Sequence, residues 1–283
     1  MHNIVKISFI LLFSFFGTVC SSQPVFQPKF AVCGKVSDYP VIAAAGYDYV
    51  EVSVGDFLVP GKNDSTFQDN LKQMKRLDAK IISCINFIPA ILSITGTETR
   101  HDEILVWAET AFRRAQMAGI QRIVFGSGGA RKVPDGFDKQ QATQQFIDLC
   151  KQMAPLAQKY EVIVVVEPLN TGETNIINSL AEGAAIVKAV NHPNIQLLCD
   201  FFHMLRENEP AGEIVKYGEL IRHCHIAENE NRSAPGTHGE DFRSYFNALK
   251  QIKYQGSVSI ECKWTDMEKQ LVPALQYMKE QIK

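Results

Sequence analysis

The chain carries no polybasic stretch and no long block of either charge sign. Its 29 basic residues against 31 acidic ones leave a formal charge of -2 at pH 7. A face built to neutralise phosphates is thereby excluded, and nucleic acid with it. The even spread also excludes a charged interaction tail. Beyond residue 24 no Pro/Gly/Ser-rich linker and no low-complexity segment divides the chain, so its 283 residues form one large unit with a real core. The stretch "CGKVSDYP" after the first β-branched segment lacks a phosphate-binding glycine fingerprint, which argues against a dinucleotide-binding open sheet. Paired cysteine spacing is missing as well. Cys33, Cys84, Cys150, Cys199, Cys224 and Cys262 stand singly, mostly in or beside apolar runs such as "FAVCG", "IISCI" and "LLCD". They read as free core thiols, with no cysteine-based zinc site. What these absences leave is a small neutral or mildly polar ligand.

No apolar run is long enough to span a bilayer as a mature helix. The longest, Ile7–Phe16, follows Lys6 and precedes small residues, the pattern of a secretory signal over residues 1–22. "GTVCSS" resembles a bacterial lipoprotein cleavage site, in which Cys20 would become the lipidated first residue and anchor the protein to a membrane. Val19 stands where that signal usually has Gly or Ala, and plain cleavage after Cys20 is the competing reading. Either way the protein is expected to be exported, as a periplasmic protein or membrane-anchored lipoprotein of a bacterium.

Residues 25–283 alternate between two periods. The β-branched runs are "KFAVCG", "YVEVSV", "KIISCINF", "RIVFGS", "VIVVVE", "IQLLCD", "RHCHIA" and "SVSIEC". Between them lie stretches with helical spacing, such as "DEILVWAETAFRRAQMAG" and "FIDLCKQMAPLAQKY". Asp64-Ser65 and Ser179 sit where helix caps belong, and Gly46 and Gly119 where helices stop. Eight strand–helix units in about 260 residues are the size and grammar of a single (β/α)8 TIM barrel, an α/β fold.

A barrel gathers the C-terminal ends of its strands at one mouth. Glu167 ends the fifth run, Asp200 the sixth, His225 the seventh and Glu261 the eighth. Taken one at a time, each would be an ordinary helix cap or solvated loop residue. Four ligand-type residues at four consecutive strand ends instead predict one divalent metal site. Three carboxylates and an imidazole suit Mn²⁺ or Mg²⁺, with Zn²⁺, Co²⁺ and Fe²⁺ as alternatives. Without a cation the carboxylates would repel, and some would protonate. His223 shares a face with His225 and reads as a core or supporting histidine. "GSGGARKVPDG" after the fourth run is either a rim that places Arg131 near the substrate, a solvated turn, or a phosphate cradle, which suits an exported protein poorly.

"VEPLNTGETN", "CDFFHM", "HIAENENR" and "SIEC" resemble the xylose-isomerase-like TIM barrels, in particular the sugar isomerase/epimerase branch with D-tagatose 3-epimerase and hydroxypyruvate isomerase. The resemblance covers essentially the whole mature chain. It implies that Glu167, Asp200, His225 and Glu261 hold the metal and that Glu167 and Glu261 are also the catalytic acid/base pair. It implies that Glu173 and His203 contact substrate oxygens. Arg232 matches the substrate-binding arginine of that branch, with a gap from His225 one residue longer than in the tagatose epimerases.

The expected reaction is isomerisation or epimerisation of an unphosphorylated keto-sugar through a metal-stabilised enediolate, one glutamate removing a proton and the other returning one. The same enediolate could expel a β-substituent, so a lyase or dehydratase of keto-glycosides or inososes is the alternative. A non-catalytic sugar-binding protein is the third, although both glutamates are present. Endonuclease IV shares the barrel but needs extra His/Asp ligands where this chain has "AENENR". Xylose isomerase proper carries a two-metal set with a lysine that has no counterpart here. The sequence sets neither the substrate nor the oligomeric state.

Overall fold

The computed structural model describes residues 26–283, so the expected signal and Cys20 lie outside the described residues. The strands are β1 (Lys29–Cys33), β2 (Tyr49–Ser53), β3 (Ile81–Ile85), β4 (Arg122–Phe125), β5 (Ile163–Val166), β6 (Ile195–Asp200), β7 (Ile221–Ile226) and β8 (Ser257–Ile260). Each pairs in parallel with the next, and β8 pairs with β1 through Lys29–Ser257 to Val32–Ile260, closing the barrel. The expected (β/α)8 fold is the observed one. The helices wrap the outside in chain order: α1 (Tyr39–Ala44), α2 (Asp64–Arg76), α3 (His101–Ala118), α4 (Gly128–Arg131) and α5 (Lys139–Lys159). They continue as α6 (Leu180–Val190), α7 (Phe201–Arg206), α8 (Gly212–Tyr217), α9 (Arg243–Gln251) and α10 (Met267–Gln281). Among the described residues no helix is long and apolar enough to cross a membrane, and the six cysteines there are all free.

Local signals set the ends of these elements. Ser179 caps α6 by accepting the Glu182 N–H, and Gly119 ends α3 at φ 74°, a conformation that costs glycine little. The expected cap at Asp64-Ser65 shifts by one residue. Asn63 accepts the Thr66 N–H, while Asp64 becomes the first helical residue and pairs with Arg113 and Arg114. Arg114 is 2 % exposed and donates to the carbonyls of Leu58, Val59 and Lys62, so one guanidinium fixes the whole turn from β2 into α2.

Parallel strands covered by helices are buried on both faces, which is why β6 is buried at every position. Residues facing outward pack against the helices in the main core, for example Val50, Val52, Ile123 and Val164. Those facing inward split into two kinds. Val124, Val165 and Leu198 pack together with Ile85 and Ile163, whereas Glu51, Ser83, His223, Ser257 and Ser259 fill the other side and are 0–1 % exposed.

Candidate active site

The end of each strand in the second half of the barrel delivers one charged group to the mouth. Asp200 and His225 lie inside β6 and β7 and are paired in register, while Glu167 and Glu261 are the first residues past β5 and β8. One ligand atom from each of the four lies within 4.8 Å of those of the other three. The His225 Nδ1 is 3.1 Å from Glu167 Oε1 and 3.3 Å from Glu261 Oε2. Atoms that share one ion at about 2.1 Å sit about 3 to 4 Å apart, so the spacing suits a single cation. Asp200 adds a second sign: one oxygen caps α7 through the Phe202 N–H, while Oδ2 is buried without any hydrogen-bond partner. An orphaned buried carboxylate oxygen beside two further carboxylates is costly unless a cation satisfies it. The four residues fit a divalent ion of the oxygen-preferring class.

The electrostatics show the strain of that crowding. Burial pushes the Glu167 carboxyl above its usual range despite His225, and Glu261 adds repulsion. Burial also pushes Glu261 upward, but bonds to His225 and the charge of Arg232 outweigh it and leave it below the usual range. His225 loses solvation by burial, yet Glu51, Glu167 and Glu261 together hold it well above the ordinary imidazole range. Two neighbouring carboxyls with opposite shifts are the arrangement from which acid and base roles arise.

Glu167, Glu173, Arg232 and Glu261 line a cavity of about 490 Å³ at the mouth. Arg232 links them: Nη2 reaches Glu261 Oε2 at 2.5 Å, Nη1 reaches Glu173 Oε1 at 3.1 Å, and the guanidinium lies 4.5 Å over the Phe202 ring. Asn231 and Arg232 have left-handed backbone, φ 59° and 53°. His203 sits beside Asp200, 3 % exposed, and does not form part of that cavity's wall. Its Nδ1 accepts the Asn170 N–H, which leaves Nε2 as the donor, 3.4 Å from Asp200 Oδ2.

Arg131 departs from the expectation. It is not on a flexible rim but fully buried, donating to the carbonyls of Phe125 and Ile177, and burial pulls its pKa down to about 10. Its charge lies near Glu167, and its two bonds tie the end of β4 to the loop before α6. The glycines of "GSGGA" are explained by close approach rather than by anion binding. A Cβ on Gly126 would collide with Glu167 Oε2, and one on Gly129 would come within 2.9 Å of Ala90 Cβ.

Two acids were not singled out by sequence reasoning. Glu51, inside β2, contacts both His223 and His225. Glu228 is 0 % exposed and accepts the N–H groups of Gly236, His238, Gly239 and Glu240, so it moulds the loop after β7. The signal for Glu51 was a lone acid in "YVEVSV" on the strand beside β1, and for Glu228 an acid three residues past His225.

The sequence model of the xylose isomerase-like TIM barrel family matches residues 40–281. An L-ribulose 3-epimerase of Methylomonas sp. (strain DH-1) is 30 % identical over 227 residues, 77 % of this chain and 75 % of the relative. A D-psicose 3-epimerase of Agrobacterium fabrum is 34 % identical over 110 residues, 38 % of each chain. Among solved structures, D-psicose 3-epimerase with D-tagatose from Clostridium cellulolyticum H10 superposes with a TM-score of 0.77 at 19 % identity, covering 90 % of this chain and 99 % of that one.

Proposed function

This chain belongs to the xylose isomerase-like TIM barrel family, and from that premise we propose that it is a divalent-metal-dependent epimerase or isomerase of an unphosphorylated keto-sugar. The carrying observation is that Glu167 and Glu261 approach a single imidazole nitrogen at 3.1 and 3.3 Å and both line the cavity. A cation of the Mn²⁺ or Mg²⁺ class, held by Glu167, Asp200, His225 and Glu261, would supply the positive charge that acidifies a C–H beside a carbonyl. The chain does the rest. Arg232 and Glu173 offer a donor and an acceptor to sugar hydroxyls, and the His203 Nε2–H, 3.4 Å from Asp200 Oδ2, lies behind them beside the ligand cluster. Glu167 and Glu261 come from different strand ends, so a ketose between them can lose a C–H proton to one, and the flat enediolate that results can take a proton from the other. Return to the opposite face inverts a centre, and return to the neighbouring carbon moves the carbonyl. The absence of a basic anion cradle among the residues lining the cavity favours an unphosphorylated sugar.

The test is to incubate Mn²⁺-loaded protein with a panel of ketoses and keto-glycosides in D₂O and follow it by NMR. Deuterium should appear at the inverted carbon in an epimerisation and at the former carbonyl carbon in an isomerisation. Glu167→Gln and Glu261→Gln should each lower turnover by at least about 10³-fold, because each removes one of the two proton carriers. Full exchange by either variant would sink the two-base mechanism, and a new alkene or released aglycone would make the protein a lyase.

A further inference from the structure

Beneath the carboxylates runs a line of buried polar side chains that the proton transfers do not use. His225 turns Nδ1 to Glu167 and Glu261, and its Nε2 lies 3.3 Å from Glu51 Oε2. The Glu51 carboxylate also meets His223 Nε2 at 2.9 and 3.1 Å. His223 Nδ1 lies 3.2 Å from Ser257 Oγ, and Ser259 Oγ is 3.4 Å from His223 Nε2. Glu51, His223 and His225 are all 0 % exposed. An ionised carboxylate at that depth offers only acceptor atoms, so it must be met by donors. Two imidazole N–H groups and, at 3.7 Å, the Cys33 thiol are what the barrel provides. The geometry therefore calls for hydrogen on the Nε2 of each ring. With Nε2–H of His225 given to Glu51, the nitrogen left facing the three mouth carboxylates is Nδ1.

We infer that Glu51 is a positioning residue, which holds the His225 ring so that Nδ1 presents a lone pair to the cation shared with Glu167, Asp200 and Glu261. His223, anchored by Ser257, holds Glu51 in turn. The inference rests on the reading of the mouth cluster as a cation site. A carboxylate behind a ligating imidazole fixes both its tautomer and its rotation, and removing such a partner typically weakens metal binding by about 10- to 100-fold. Cys33, Glu51 and His225 also lie within 4.8 Å of one another. A second ion there would need the same Nε2 that faces Glu51 and a thiolate where burial raises the Cys33 pKa well above its usual range.

The experiment compares the parent with Glu51→Ala and Glu51→Gln by calorimetric titration with Mn²⁺. It adds ¹H–¹⁵N NMR of the histidine rings in the metal-free and Zn²⁺-loaded forms. A slowly exchanging His225 Nε2–H is expected in the parent in both forms and should vanish in Glu51→Ala. Affinity for Mn²⁺ should fall by about 10- to 100-fold in Glu51→Ala and by less in Glu51→Gln, which keeps an acceptor oxygen of the same shape. Should Glu51→Ala not fold, the glutamine variant is read by its weaker Mn²⁺ affinity and by a shift of the His225 Nε2–H signal. A parent that binds no ion would defeat the cation reading, while the ring N–H signal still decides the role of Glu51. The inference is overturned if both variants bind Mn²⁺ as tightly as the parent, or if the His225 Nε2–H is unchanged in Glu51→Ala. It is also overturned if the parent binds two ions and only the second is lost.

Discussion

Inside the barrel, β4, β5 and β6 contribute Val124, Val165 and Leu198, whereas β7, β8 and β2 contribute His223, Ser257, Ser259 and Glu51. The apolar side is held by non-directional packing, which tolerates small rearrangements. The polar side is a chain of directional bonds in which each group needs its neighbour, because an unpartnered donor or carboxylate there has no water to fall back on. At the mouth, Ile85, Ile88, Ala90, Leu169 and the glycines of the β4–α4 turn line the cavity together with Glu167, Glu173, Arg232 and Glu261. Directional chemistry inside the barrel is thus concentrated on one flank, and the opposite flank gives it shape.

The largest expected break in that contrast, beyond the loss of either glutamate, is at Arg232. Arg232→Ala removes a cation that bonds Glu261 and Glu173 at once and covers Phe202. Charge-assisted bonds of this kind are worth about 2 to 3 kcal/mol, so kcat/KM for the active ketose should fall about 10²-fold. The melting temperature should move by only a few degrees, since the guanidinium sits at the cavity rather than in the core. An unchanged kcat/KM would show that the polar flank does not recognise substrate through Arg232.

On the apolar flank the expectation reverses. Val165→Ala, at a position 0 % exposed, should cost about 2 kcal/mol in urea unfolding while kcat/KM stays within about threefold. If turnover collapsed with only a small loss of stability, the apolar side would be tuning the carboxylates rather than filling space.

The barrel was legible because parallel strands buried on both faces spell continuous apolar runs, and because each run is followed by a helical period. The four mouth residues were legible for a related reason: a barrel turns strand ends in sequence into neighbours in space. Glu51 escaped because nothing local distinguishes an inward-facing acid within a strand from an outward-facing one. Its partners His223 and His225 are more than 170 positions away, and only closure of β8 on β1 brings β2 near β7. Arg131 escaped for the converse reason. An arginine in a glycine-rich turn looks solvated until its carbonyl partners, Phe125 and Ile177, are seen to enclose it.

The smallest effect isolates what the histidines do for a buried acid. Burial pushes the Glu51 carboxyl up, but His223 and His225 overcome this and hold it well below the usual range. Glu209 lies beside the small gap lined by Asp200 and His203 and has no such donors, only the Leu180 N–H. Burial, reinforced by Glu213, Glu182 and Glu207, raises it from 4.5 to about 7. The unfolded chain therefore releases this proton near pH 4.5, whereas the folded chain keeps it until about pH 7. Between those values the unfolded state binds fewer protons, so stability falls as pH rises and is lowest above the folded pKa. Glu209→Gln keeps an oxygen for the Leu180 N–H and cannot ionise. Relative to the parent it should melt a few degrees higher at pH 8 and at the same temperature at pH 4, the gain being modest because Glu209 is partly open to solvent. An equal gain at both pH values would mean that packing, not ionisation, separates the two acids. No gain at pH 8 would mean that Glu209 is solvated well enough to ionise without cost.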